Sequence, residues 1–138
     1  MPKPAGDQPL TDAEYRVLAR FRTALRVFLR FSENAARAAG VTPKQHQLLL
    51  AIRGSTGSPT IGDLAHALQL RHHSTVELID RAVEAKLVAR ETDPDDRRRQ
   101  RLTLTAHGAT ALASLSTTHR EELRRFRGEM SQLLRELG

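Results

Sequence analysis

The sequence predicts a mainly α-helical chain with one small β-hairpin, an α+β fold. Apolar residues recur at threes and fours through most of the chain, in runs opened by helix caps. Residues 87–105 break that rhythm. Their sequence, LVARETDPDDRRRQRLTLT, holds two runs of β type, 87–92 and 101–105, joined by a polar loop. In the second run Leu102 and Leu104 alternate with Arg101 and Thr103, the period of two of a half-buried strand.

At 138 residues the chain is one domain, with or without helical extensions, and long enough for a real core. Four Phe, one Tyr and no Trp leave that core to Leu, Val, Ile and Ala. A formal charge of +6 suits a nucleic acid or an anionic membrane surface without choosing between them. No apolar run approaches the roughly 20 residues that span a bilayer, and MPKPAGDQP has no signal-peptide core. A cytoplasmic protein without a membrane partner is therefore expected. The absence of cysteine excludes disulfides, thiolate metal sites and thiol redox switches.

Residues 1–9, with three prolines and no apolar periodicity, read as a flexible arm. Residues 10–40 hold a long helix. Thr11 and Glu14 form its capping box, Tyr15, Leu18, Phe21, Leu25, Phe28 and Leu29 its apolar stripe, and Gly40 its end. An aromatic seam of that length needs a partner. A second capping box, Thr42 to Gln45 with Pro43 at the first helical position, opens a short core helix to about Arg53. GSTGSP, residues 54–59, is a loop by composition. Thr60 caps a third helix with Ile61, Leu64, Ala65 and Leu68 inward, and after a break at 69–71 a fourth runs from about His72 to Lys86. Val76, Ile79 and Val83 are its expected apolar stripe. In residues 106–138, Leu112, Ser116, His119, Leu123, Phe126, Met130, Leu133 and Leu137 follow a coiled-coil spacing. Gly128 within them costs about 1 kcal/mol against alanine, and one helix and two remain open readings.

Pro94 suits the second position of a turn, so the chain should reverse near 93–96. Arg97, Arg98 and Arg99 follow. Arginine binds phosphate bidentately and keeps its charge in a narrow minor groove. A triple arginine alone is ordinarily a solvated turn. Here it follows a short helix, a tight turn and a second helix, and that order is a winged helix-turn-helix.

TPKQHQLLLAI, TIGDLAHALQL and STVELIDRAVEAKLVARETDPDDRRRQRLTLTAHG resemble the MarR family of bacterial transcription regulators, over about residues 10–138. The most specific piece is Leu87, Val88, Arg90, Asp93, Pro94, Asp96, Arg97, Arg98, Leu102, Leu104, Thr105 and Gly108 at the family's spacing. The resemblance implies a homodimer joined by helices in 10–40 and 106–138, with a winged helix-turn-helix DNA-binding lobe over 41–105. It implies that the second helix of the motif enters the major groove and that the wing arginines reach the minor groove or its phosphates. It places an acid–arginine pair at Asp96 and Arg97 or Arg98, with Asp96 bracing the wing. Lys86 stands where the family usually has a glycine. A left-handed residue there costs about 1 kcal/mol without glycine, so a differently shaped helix end is expected.

The expected double-stranded DNA contacts are Arg71, His72, His73, Ser74, Thr75 and Glu77 of the recognition helix and Arg97, Arg98 and Arg99 of the wing. The resemblance further implies a crevice for small phenolic or anionic effectors, lined by Arg22, Arg26 and His46. No two histidines stand four apart on a helix as a zinc helix shows, and His72 and His73 point about 100° apart. No metal and no cofactor is expected. Without a glycine-rich phosphate loop, a cysteine nucleophile or a Ser/His/Asp set, neither is an enzyme. The function expected is that of a sequence-specific regulator, a repressor on a pseudo-palindromic operator released by an effector. The alternative is a helical homodimeric interaction module that acts through a protein partner without regulated DNA binding.

Overall fold

The computed structural model describes residue 6 and residues 8–137, so most of the expected arm and Gly138 lie outside the described residues. Seven elements follow in order: α1 (Asp12–Ala38), α2 (Pro43–Arg53), α3 (Ile61–Leu68), α4 (His72–Glu84), β1 (Val88–Thr92), β2 (Gln100–Leu104) and α5 (Ala106–Leu137). This is the helical fold with a two-stranded antiparallel hairpin that the sequence predicts. The chain divides into two compact units, one of residues 33–118 and one of residues up to 32 with those from 119 onward.

In the unit of residues 33–118, the two capping boxes form as read. The Thr42 hydroxyl accepts from the Gln45 amide at 3.1 Å, and the Gln45 side chain accepts from the Thr42 amide at 3.0 Å. Thr60 and Asp63 repeat the exchange at 3.2 and 3.0 Å. The caps start α2 and α3, but burial holds them. Leu48, Leu49, Leu64, Ile79 and Leu102 are wholly buried in one cluster, each contributing about 1.5–3 kcal/mol over an exposed position. In the hairpin, Val88 lies opposite Leu104, Arg90 opposite Leu102 and Thr92 opposite Gln100. A third segment joins the free side of β2, where Leu102 N donates to Pro59 O at 2.9 Å and Thr60 bridges Arg101. The hairpin is thereby tied to the start of α3.

Helices α1, α3 and α4 end in the same way. The chain turns left-handed within two residues of each helix end, at φ 82° for Gly40, 55° for Gln69 and 61° for Lys86. Val41 N then reaches back to Ala36 O, Leu70 N to Ala65 O and Leu87 N to Ala82 O, at 2.9–3.0 Å, the six-to-one bond that consumes an orphan carbonyl. The different helix end expected at Lys86 is therefore not found. Its left-handed turn persists because Thr105 holds both carbonyls beyond it: Thr105 Oγ1 donates to Lys86 O at 2.5 Å and Thr105 N to Leu87 O at 3.1 Å.

The buried stripe of α4 is also turned from the expected one. Thr75, Leu78, Ile79 and Ala82 are buried, while Val76 and Val83 are half-buried. The buried four sit at i, i+3, i+4 and i+7, a complete helical face.

In the other unit, Val17 and Leu133 are buried. His119, also buried, places Nε2 2.8 Å from Ser32 Oγ and its ring 5.5 Å from that of Phe31. The rings of Phe28 and Phe126 pack at a tilt of 35° with centroids 5.0 Å apart, and Arg20 pairs with Glu136. Tyr15, Leu18, Phe21, Val27, Leu29, Leu123 and Leu134 are exposed. The segment left open as one helix or two is a single helix, α5, continuing through Gly128, about whose missing Cβ the space is open. No helix among the described residues is long and apolar enough to cross a membrane.

Candidate nucleic-acid interface

The opening of α4 carries cationic and polar side chains. Its N-cap, Arg71, makes no side-chain cap, and no acid occupies the first turn. The first amides thus lack a side-chain acceptor at the positive end of the helix. Arg71, His72 and His73 are exposed, Ser74 is half-buried, and Glu77 is exposed one turn on. Thr75 departs from the expected set. It is fully buried, and its hydroxyl donates to Arg71 O at 2.9 Å, so it serves the core and not the surface. The i, i+3, i+4, i+7 spacing from Thr75 was the signal for this in the sequence.

The tip of the hairpin is a hydrogen-bonded turn. Asp93 N donates to Arg99 O and Arg99 N to Asp96 O, each at 3.0 Å. Asp96 Oδ1 accepts from Arg98 N at 3.0 Å and lies 3.5 Å from Arg98 Nε, whose side chain is 93% exposed. Arg97 and Arg99 are exposed as well. The buried acid of the hairpin is Asp93, with its side chain 3% exposed. Asp93 Oδ1 accepts from Asp95 N at 2.9 Å and Oδ2 from Arg101 Nε at 3.1 Å, and Arg101 Nη1 donates to Ser58 O at 2.6 Å. Sequence reasoning missed this pair. The period-two pattern did place Arg101 on the face opposite Leu102, but the Ser58 carbonyl it reaches is 43 residues away.

Two carboxyls titrate below the usual range. The Asp95 amide holds the Asp93 carboxyl down, helped by Arg101 against the effect of burial. The Thr60 amide and hydroxyl hold the Asp63 carboxyl down, with smaller help from Arg101 and Arg99. Both stay ionised under ordinary conditions, and Asp63 holds the amide of Thr60, which lines a cleft.

That cleft, of about 400 Å³, is lined by His72 from α4, by Thr60, Ile61 and Gly62 at the start of α3, and by Arg97, Arg98, Arg99 and Gln100 from the wing. The structure thus brings together four of the expected contacts. Its charged lining is wholly cationic, and arginine forks there suit phosphate oxygens. Of the expected crevice residues, Arg22 and Arg26 are exposed on α1, whereas His46 is buried in α2. Among the described residues, no three His, Cys, Asp or Glu side chains come together as a metal site.

Residues 39–99 match the MarR family model. A protein of Thauera aromatica, named as a transcriptional regulatory protein for the hcr operon, is 32% identical over 94 residues, 68% of this chain and 56% of its own length. The chain spans about half the length of the curated relatives it matches. AbsC, a MarR family transcriptional regulator of Streptomyces coelicolor, superposes with a TM-score of 0.74 at 27% identity, covering 86% of this chain and 81% of its own. A mutant of S. aureus MepR bound to an oligodeoxyribonucleotide shares the fold, with a TM-score of 0.70 at 20% identity over 94% of this chain and all of that one. By the match of residues 39–99 to the family model and by these superpositions, the chain is similar to MarR family regulators.

Proposed function

We propose that the chain is a sequence-specific DNA-binding transcriptional regulator, acting as a homodimeric repressor on a pseudo-palindromic operator. The observation that carries this reading is the all-cationic cleft, in which the opening of the recognition helix and the three wing arginines meet. Phosphate neutralisation by the arginines supplies most of the affinity, and the exposed side chains of α4 choose the sequence. The oligonucleotide bound to the MepR mutant and the regulatory name of the Thauera relative point the same way. Self-association is supported by the exposed apolar residues of α1, Tyr15, Leu18, Phe21, Val27 and Leu29, a patch that a monomeric protein seldom leaves in water. Release by a small phenolic or anionic effector completes the reading, and rests on the family resemblance alone.

The test is a fluorescence titration of labelled duplexes, random and selected, at several salt concentrations. Binding should be sub-micromolar on selected DNA and should weaken steeply with salt. Arg98→Ala should lower affinity for every duplex by roughly tenfold and reduce the salt slope by about 0.9, the release accompanying one phosphate contact. His73→Ala should instead change preference at particular base pairs, by about 1–3 kcal/mol for a lost base contact. An Arg98→Ala protein with unchanged affinity and salt slope would remove the wing from the interface.

A further inference from the structure

We propose that DNA binding takes up a proton on His72, so that the cleft makes affinity respond to pH in the range where imidazole titrates. This rests on the DNA-binding reading and adds regulation to it. The geometry is specific to one histidine. His72 is the first residue of α4 and lines the cleft with Arg97, Arg98 and Arg99, whereas the adjacent His73 is not among the lining residues. Successive positions on a helix diverge by about 100°.

The charges facing His72 decide the sign. From the wing come the three arginines, with Asp96 beside Arg98. From α3 come Thr60, Ile61 and Gly62, none of them charged. The nearby carboxylate of Asp63 is engaged by the Thr60 amide at 3.0 Å. On α4 itself Arg71 and His73 are exposed neighbours, and the first acid is Glu77, more than a turn away. No carboxylate lines the cleft to hold a proton on the imidazole. A DNA phosphate seated there is such a partner. Phosphate and proton therefore favour each other's binding, by the reciprocity that links any two ligands of one site. Imidazole is the side chain whose charge changes between about pH 5 and 8, and one linked proton changes affinity at most tenfold per pH unit.

The experiment titrates a short random-sequence duplex, to isolate the phosphate-directed component, at about pH 6 and about pH 8 and constant ionic strength. The full chain is compared with His72→Gln, His72→Lys, His73→Gln and His107→Gln. Affinity should be roughly fivefold to tenfold higher at the lower pH for the unaltered chain. His72→Gln should flatten that dependence. His72→Lys should flatten it too, with affinity at the higher pH raised towards the low-pH value. His73→Gln should keep the dependence whatever its affinity, and His107→Gln, exposed on α5, should keep both. Binding that ignores pH in the unaltered chain, or a dependence that survives His72→Gln, overturns the inference and leaves DNA binding standing. No binding at either pH overturns the DNA-binding reading, and this inference with it.

Discussion

The two ends of the hairpin are made of the same residue types and do opposite work. At the base, Leu87, Val88 and Leu102 are buried and Thr105 ties the strand exit to the end of α4, while nearer the loop the buried Asp93 carboxylate holds the partly exposed Arg101. At the tip, Arg97, Arg98 and Arg99 stand in solvent, held in place by backbone hydrogen bonds of the turn. Arg101 and Arg98 are three residues apart. Arg101 binds the buried Asp93 carboxylate and the Ser58 carbonyl, whereas Arg98, with its side chain 93% exposed, lies 3.5 Å from Asp96. The difference lies in where each falls relative to the third segment, 58–60, that β2 pairs with. Substitutions at the base should therefore change stability, and substitutions at the tip should change DNA binding at nearly constant stability.

The sharpest break of that contrast is Gly108→Ala. A Cβ on Gly108 would lie 2.0 Å from Leu87 O, a backbone atom held in turn by the Thr105 amide. Neither segment can yield without moving the junction of α4, β1 and α5. The expected cost is about 3 kcal/mol, the upper range for overpacking, or a fall in Tm of about 10 °C for a chain of this size. Thermal unfolding followed by circular dichroism measures it. Arg98→Ala at the tip should stay within about 0.5 kcal/mol of the unaltered protein. Equal melting temperatures for Gly108→Ala and the unaltered chain would mean that the base is looser than the distance implies.

A smaller effect with a characteristic pH dependence is expected of Asp93→Asn. The carboxyl of Asp93 is held below its usual range, first by the Asp95 amide and then by Arg101. A depressed folded-state pKa stabilises the protein above the unfolded value, near 3.9, and the contribution is lost as pH falls through the folded value. Denaturant unfolding should find Asp93→Asn less stable than the unaltered protein at neutral pH. The gap should close as pH falls below about 4. A gap that stayed constant into acid would assign the loss to the packing of the amide and not to the charge.

Much of this was legible in the chain because it is local. The boxes at Thr11, Thr42 and Thr60 each need only a partner three residues on, and each formed. The strand alternation from Arg101 to Leu104 likewise needs no distant information. What escaped was set by contacts across the sequence. The pairing of Asp93 with Arg101 depends on the strand register and on Ser58, and a cluster with three aspartates and four arginines offers many local alternatives. The place of Thr75 near the start of the recognition helix points to a surface donor, yet the Arg71 carbonyl satisfies its hydroxyl inside the helix. The continuity of α5 through Gly128 was undecidable from propensity alone, since a penalty of about 1 kcal/mol is small beside the rest of a 32-residue helix.

Lys86 gives the finest test of the contrast, because it sits at the base yet carries an exposed side chain. Its φ of 61° is a conformation that costs an L-residue about 1 kcal/mol or more and costs glycine nothing. Lys86→Gly removes that strain and loses no buried contact, but it also gives the unfolded chain more freedom. The net expectation is a gain of about 0.5 kcal/mol, with DNA affinity unchanged. Gln69, left-handed at the end of α3, is the internal control. Its Nε2 donates to His66 O at 2.7 Å, a bond glycine cannot make, so Gln69→Gly should gain less or nothing. If chemical denaturation instead finds Lys86→Gly the less stable protein, the left-handed turn is not the strained element. The bond from Thr105 to the Lys86 carbonyl would then be stronger with lysine in place than with the more mobile glycine.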